Sequence, residues 1–127
     1  MNTVRRNRVA IAAAIVAIAG VSWFGLRQYN CQQRHAAFGR QVEIIRDDAH
    51  AQLKLGTKKS DVARFFTEHN FPFTVFGSEA SGTIQTSGCA PFGCGSDVAI
   101  ISVHVKFNEA GSVTEEPTVV GMYTNCL

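Results

Sequence analysis

The feature that most constrains this chain is an uncharged apolar run, VAIAAAIVAIAGVSWFGL, which extends from Val9 to Leu26. Eighteen residues in an α-helix with a rise of about 1.5 Å per residue span roughly 27 Å, close to the thickness of the hydrocarbon core of a bilayer. Three positive charges, Arg5, Arg6 and Arg8, precede the run, and charges of this sign stay in the cytoplasm. The sequence therefore predicts a single-pass helix in the inner membrane, with residues 27–127 in the periplasm.

A cleaved secretory signal is the competing interpretation of the same run. Ala17-Ile18-Ala19 has the small-x-small pattern of a signal-peptidase site. The apolar residues continue past it to Leu26, further than in an ordinary signal core, and Trp23 and Tyr29 lie where aromatic side chains mark a membrane surface. An uncleaved signal-anchor is favoured, and both interpretations deliver residues 27–127 to the same side of the membrane.

The exported part is long enough for one small domain, so the predicted division is an anchor of residues 1–26 and a domain of residues 27–127. The domain carries nine Lys or Arg residues against ten Asp or Glu, and no basic stretch stands out. Proteins that bind nucleic acid concentrate positive charge on one surface. The composition therefore argues against nucleic acid as a partner, whereas the membrane is a predicted partner through residues 9–26.

Four cysteines in an oxidising compartment predict two disulfides, for which three pairings are possible. The favoured pairing joins Cys89 to Cys94 across a short Pro/Gly loop, and Cys31 to Cys126 across the domain. A thiol-redox site at Cys89 and Cys94 is a weaker hypothesis, because four residues, one of them proline, separate the two thiols. A zinc site formed by these two cysteines and His104 lacks a second pair of ligands, so neither metal nor cofactor is predicted.

The period of the apolar residues predicts the fold of the domain. Residues 27–53 carry one apolar stripe, and residues 58–69 form a second amphipathic helix, which begins after a cap at Thr57. From residue 73 the period changes to two, which predicts strands at 73–76, 83–86, 97–108 and 119–124, with a turn at 77–82. The expected fold is α+β: an N-terminal transmembrane helix, then two helices packed on an antiparallel sheet of about four strands.

Two further groups of residues are candidates for function. Phe71, Phe73, Pro91 and Phe92 are apolar residues in or beside loops, where they either fold back onto the core or form a protein-binding patch. Ser102, His104 and Asp97 contain the residue types of a hydrolase triad. No oxyanion hole accompanies this set, so catalysis is not predicted.

Several of these residues resemble the SmpA/OmlA family. The similarity covers about residues 50–115 and rests on Leu55-Gly56-Thr57, followed by Val62 and Phe66, and on Val105-Lys106-Phe107-Asn108, followed by Gly111-Ser112-Val113. That family comprises small envelope lipoproteins of the outer-membrane barrel-assembly machinery, with a fold shared by the β-lactamase inhibitor protein. This chain differs in having no lipobox, an added Cys-rich loop, and Asn70-Phe71-Pro72 in place of the usual Gly-x-Pro. The resemblance implies a module that binds proteins and catalyses nothing.

The sequence therefore predicts a membrane-anchored extracytoplasmic module of the bacterial envelope that binds another envelope protein. The expected recognition surface is the sheet face together with the Cys-bridged loop. An inhibitor or immunity-type protein that blocks an enzyme is the alternative, and a thiol-redox protein that uses Cys89 and Cys94 is a third hypothesis.

Overall fold

In a computed structural model of the chain, which describes residues 2–90, 94–124 and 126, with side chains from residue 6 onward, the protein has two helices and one sheet. The elements are α1 (Asn2–Gln52), α2 (Lys59–Glu68), β1 (Phe73–Phe76), β2 (Glu79–Ser87), β3 (Val98–Lys106) and β4 (Thr118–Tyr123). The strands form a single sheet in the order β1-β2-β3-β4, and each neighbouring pair is antiparallel. The predicted α+β fold is therefore confirmed.

The predicted membrane segment and the first predicted domain helix belong to one continuous helix, α1. Three glycines, Gly20, Gly25 and Gly39, lie inside it, but each costs only about 1 kcal/mol relative to alanine. Residues 2–52 contain no proline, the residue that would interrupt the helix. The chain divides into two compact units, Met1–Gln33 and Arg34–Leu127, and α1 contributes to both.

In the first unit, α1 is apolar on all sides. By length and composition it is the one helix of the described residues that is long and apolar enough to cross a membrane. None of its most apolar eighteen-residue window is buried within the protein. Nine large apolar side chains are exposed there: Val9, Ile11, Ile15, Val16, Ile18, Val21, Trp23, Phe24 and Leu26. An apolar surface that surrounds a helix completely is typical of a membrane span.

The second unit has an ordinary hydrophobic core between the helices and one face of the sheet, here called the inner face. The apolar stripe of α1 is buried there as predicted: Phe38, Val42, Ile45, Ala49 and, just after the helix, Leu53. Val62, Phe65 and Phe66 of α2 join it, and the strands contribute mainly valine, isoleucine and alanine. At Gly82 of β2, a Cβ atom would lie 2.5 Å from Cε1 of Phe66, so only glycine leaves room for that ring.

The connection between the helices differs in one detail from the prediction. Gly56 has a positive φ of 85°, as expected of a residue that ends a helix. Thr57 does not cap α2, so that prediction is wrong: the N-cap is Lys58, which makes no side-chain hydrogen bond to the helix. The hydroxyl of Thr57 donates to the carbonyl oxygen of Gln52 at 3.4 Å, and it therefore helps to close α1.

Strand β2 is longer than predicted because the turn before it is short. Only Gly77 and Ser78 separate Phe76 from its partner Glu79, which makes a two-residue hairpin. The predicted turn at 77–82 is therefore wrong beyond residue 78. The glycine at position 82 indicated a turn, but it lies within the strand because Phe66 packs against it.

Candidate partner-binding surface

The helices of the second unit cover only the inner face of the sheet, and the opposite, outer face is open among the described residues of this unit. Alternate residues of β3 and β4 point to the outer face, as the period of two requires. At one end of that face Ile100 lies opposite Met122, with Val98 and Val120 beside them. These four side chains are the outer patch. Met122 is 47% exposed, so the patch is accessible to a partner.

The outer patch contains no charged side chain, and hydroxyl groups border it toward the middle of the sheet. Ser102 pairs with Val120 on one side and with Thr83 on the other. The hydroxyl oxygens of Thr83 and Ser102 lie 3.0 Å apart and hydrogen-bond to each other, which satisfies the nearly buried serine. An apolar centre with a neutral polar border has the make-up of a protein-binding surface.

A disulfide holds the chain beside the outer patch. Cys94, just before β3, bonds Cys126, just after β4, with the two Cα atoms 4.7 Å apart. The predicted pairing of Cys89 with Cys94, and of Cys31 with Cys126, is therefore wrong. Cys31 and Cys89 are disulfide-bonded as well, and no described cysteine is free.

The reason for this pairing is the register of the sheet. The backbone amide of Thr124 donates to the carbonyl oxygen of Val98 at 3.0 Å, so the chain after β4 runs directly beside the chain before β3. Residue 126 then lies next to residue 94. The stem of the Cys-rich loop is itself paired, because the amide of Ala90 donates to the carbonyl oxygen of Ser96 at 2.9 Å. Sequence proximity favoured Cys89 as the partner of Cys94, whereas strand order decides for Cys126.

On the inner face, directly behind the patch, Tyr123 joins β4 to α1. Its hydroxyl lies 2.7 Å from Nδ1 of His35, and its ring packs on that of Phe38 with centroids 5.1 Å apart. Burial raises the pKa of Tyr123 above its ordinary value, while the hydrogen-bonded backbone of Cys89 and the charge of Arg34 act in the opposite direction. The hydroxyl therefore stays protonated at neutral pH and serves as a structural contact.

An ion pair closes the same end of the domain. The guanidinium of Arg34 donates to a carboxylate oxygen of Asp97 at 2.8 Å, which ties α1 to the residue before β3. Both side chains are exposed, so this pair contributes at most about 1 kcal/mol. Together with Tyr123 and the Cys94–Cys126 bond, it fixes the backbone that carries the outer patch.

The residues predicted to bind a partner are divided by the structure. Phe71 is only 3% exposed and packs edge-on against Phe66, so it belongs to the core and the prediction of a surface contact there is wrong. Phe73 is half-buried and stacks on the same ring, with centroids 5.1 Å apart. Pro91 and Phe92 lie outside the described residues.

Sequence reasoning missed the apolar residues that are exposed. Phe76 is 89% exposed at the end of β1, although it is close in sequence to the buried Phe71. Period-two alternation was the signal: if Phe73 points inward, Phe76 must point to the outer face. The same reading of β3 and β4 identifies Ile100, Val120 and Met122 as outward apolar residues.

The groups considered for chemistry lie apart or are already bonded. Ser102 hydrogen-bonds Thr83, and Asp97 pairs with Arg34, so neither is directed at His104. His104 lies opposite Ser81 and Thr118, toward the far end of β3 from Cys94. The described residues contain no cluster of three potential metal ligands.

The chain was compared with known families, curated proteins and solved structures, and none of the three comparisons finds a match. The resemblance to the SmpA/OmlA family therefore stays a prediction that rests on the residues quoted for it.

Proposed function

We propose that this protein is a membrane-anchored module on the periplasmic side of the inner membrane, and that it binds another envelope protein through the outer patch. The proposal has two parts, an address and a surface. The address rests on the apolar first part of α1, on the three arginines that precede it, and on cysteines that are disulfide-bonded.

The surface rests on one observation above the others: the outer patch is contiguous, apolar, uncharged and open. Scattered exposed apolar residues are normal on soluble domains, but here Val98, Ile100, Val120 and Met122 adjoin one another across two strands. The Cys94–Cys126 bond and the Tyr123 contacts hold the backbone beneath them. A fixed apolar surface binds a protein with little loss of conformational entropy.

Crosslinking in intact cells tests the proposal. A photoreactive amino acid replaces Thr83 at the border of the patch, in the full chain and in two variants, Met122→Lys and Thr118→Lys. Both substitutions add one lysine to the same face of β4, but Thr118 is outside the patch, opposite His104. We expect a defined crosslinked envelope protein that persists with Thr118→Lys and is lost with Met122→Lys.

Equal crosslinking in the two lysine variants would contradict the surface part of the proposal. A crosslinked partner located in the cytoplasm would contradict the address. Recovery of an enzyme whose activity the wild-type chain reduces, and the Met122→Lys chain does not, would favour the inhibitor-type alternative.

A further inference from the structure

The two edges of the sheet are treated differently by the rest of the domain. At the β4 edge, side chains of α1 bind the outward carbonyl groups: Arg46 donates to the oxygen of Val119 at 3.4 Å, and Nε2 of His50 lies 3.3 Å from the oxygen of Pro117. At the β1 edge, no described residue hydrogen-bonds the outward groups. An unprotected edge strand is a template for another strand.

The outward groups of β1 can be named from the hydrogen-bond pattern. The amide of Thr83 donates to the oxygen of Pro72 at 3.2 Å, so Pro72 and Thr83 form a hydrogen-bonded pair. Along an antiparallel pair such positions alternate, which makes Thr74 and Phe76 the next residues that bond β2. The amide and carbonyl groups of Phe73 and Val75 therefore point away from the sheet.

We infer that β1 binds the β1 strand of a second copy of this chain, antiparallel and about a two-fold axis at Thr74. In this register Phe73 pairs with the partner's Val75, and Val75 with the partner's Phe73. All four outward groups of each strand are then satisfied by four hydrogen bonds. The pairing is isologous, as a closed dimer requires, and it extends two four-stranded sheets into one.

The side chains and charges of β1 fit this occupant. Residues 71–78 contain no charged side chain, so two copies meet without like-charge repulsion at the edge. Natural edge strands are usually protected by lysine, by an internal proline or by a bulge, and Phe73–Phe76 has none of these. In the paired strands Phe76, now almost fully exposed, lies opposite the partner's Pro72 and covers it.

The small area predicts where the dimer forms. The two Phe76 rings contribute on the order of 300–500 Å², well below the roughly 1,200–2,000 Å² of a stable interface. Strand pairing alone is therefore weak in dilute solution. The membrane anchor confines the copies to one plane and raises their effective concentration, so the dimer belongs to the anchored full chain.

Disulfide trapping in membranes tests the dimer directly. Thr74 lies opposite the partner's Thr74 at a non-hydrogen-bonded position, where Cα atoms are about 4.5 Å apart, a distance that a disulfide spans. The Thr74→Cys chain is oxidised mildly in native membranes beside a matched control, Thr118→Cys, which places a thiol on the same face at the other edge. We expect roughly tenfold more disulfide-linked homodimer from Thr74→Cys.

A second variant separates strand pairing from mere proximity. Val75→Pro in the Thr74→Cys chain removes the outward amide of Val75 but leaves the β1–β2 bonds, which do not use it. We expect crosslinking to fall to the Thr118→Cys level while the melting temperature and the circular dichroism of the chain are retained. Equal trapping from the two cysteine variants, a Thr74→Cys adduct with a different protein, or unchanged trapping with Val75→Pro would each overturn the inference.

Discussion

Two parts of the same helix, residues 9–26 and residues 38–53, are both rich in apolar side chains but bury them differently. Phe24 is 64% exposed in the first part, whereas Phe38 is 6% exposed in the second. Apolar residues occupy every side of the first part, but only one stripe of the second, with charged residues such as Arg40 and Asp47 between them. The comparison teaches that distribution, more than content, tells which solvent a helix is built for: a stripe for protein, a full circumference for lipid.

The largest expected effect comes from charging the first part. Ile15→Arg together with Ile18→Arg places two charges near the bilayer centre, at a cost of roughly 5–7 kcal/mol for insertion. We expect the chain to leave the membrane fraction, which sedimentation and immunoblotting measure. The matched control is Ile44→Arg, an exposed isoleucine of the second part, which should leave membrane retention unchanged. If the doubly charged chain sediments like the wild type, the comparison fails.

Two phenylalanines of α1 sharpen the comparison. Phe38→Ala removes a buried ring that packs on Tyr123, so we expect the free energy of unfolding of the domain to fall by about 3–5 kcal/mol. Phe24→Ala makes the same chemical change at a position exposed within the protein, and it should alter that free energy by less than about 0.5 kcal/mol.

Denaturant unfolding of the full chain in detergent, followed by circular dichroism, measures both phenylalanine variants. Similar losses of stability in the two variants would show that the two parts of the helix share one environment.

Replacing the disulfide tests what holds the second region at its far end. Cys94→Ser with Cys126→Ser opens a loop with a sequence separation of 32, for which the chain-entropy model gives about 3–4 kcal/mol. We expect a lower free energy of unfolding in the double variant than in the oxidised wild type. Full stability without the bond would contradict the role assigned to Cys94 and Cys126.

The same variant provides a thiol count that separates the structural interpretation from the redox one. Oxidised wild-type chain should show no free thiol without reductant, since the described cysteines are all bonded. A thiol pair that appears and disappears under mild redox buffers would support the redox hypothesis instead.

Alkaline pH should have the smallest effect. The pKa of Tyr123 is raised above 10.0 by burial, and that of Lys106 above 10.5 chiefly by its hydrogen bond and charge interaction with Glu115. A raised pKa means that the folded state holds the proton more tightly. Its stabilisation is complete below the unfolded pKa and is lost as the pH rises through the folded one.

Thermal unfolding between about pH 8 and about pH 11 measures this dependence. We expect the melting temperature to fall above about pH 10, and to fall less steeply in Tyr123→Phe, where only Lys106 still contributes. Parallel pH profiles for the two chains would show that Tyr123 is not the titrating group.

Patterns confined to one element predicted that element well. The full apolar circumference of residues 9–26 and the stripe from Phe38 to Leu53 each indicated a helix, and period-two alternation indicated four strands. The continuity of α1 was missed because the change of pattern resembled a boundary, although no residue there stops a helix. Gly82 was taken for a turn because a ring that packs on a strand glycine leaves no mark in the local sequence.

Features that depend on strand order could not be predicted in the same way. Cys94 pairs with Cys126 only because β4 returns beside β3, and the sequence suggests the nearer Cys89 instead. Phe71 follows the helix end, where its amide donates to the carbonyl oxygen of Phe66 at 2.8 Å, and this turn directs its ring into the core. The outer patch joins residues of two strands, so neither strand indicates it alone.

Protease accessibility tests the central claim most directly, namely that residues 9–26 lie in lipid and carry the folded domain outside the cytoplasm. Protease is added to intact spheroplasts that hold the wild-type chain, and immunoblots follow the domain, the membrane fraction and a cytoplasmic control protein. The account predicts a membrane-bound chain whose domain, once its disulfides are reduced, is cut while the control protein survives. A domain that is cut only after the membrane is lysed, or that is found with the soluble cytoplasmic proteins, would contradict it.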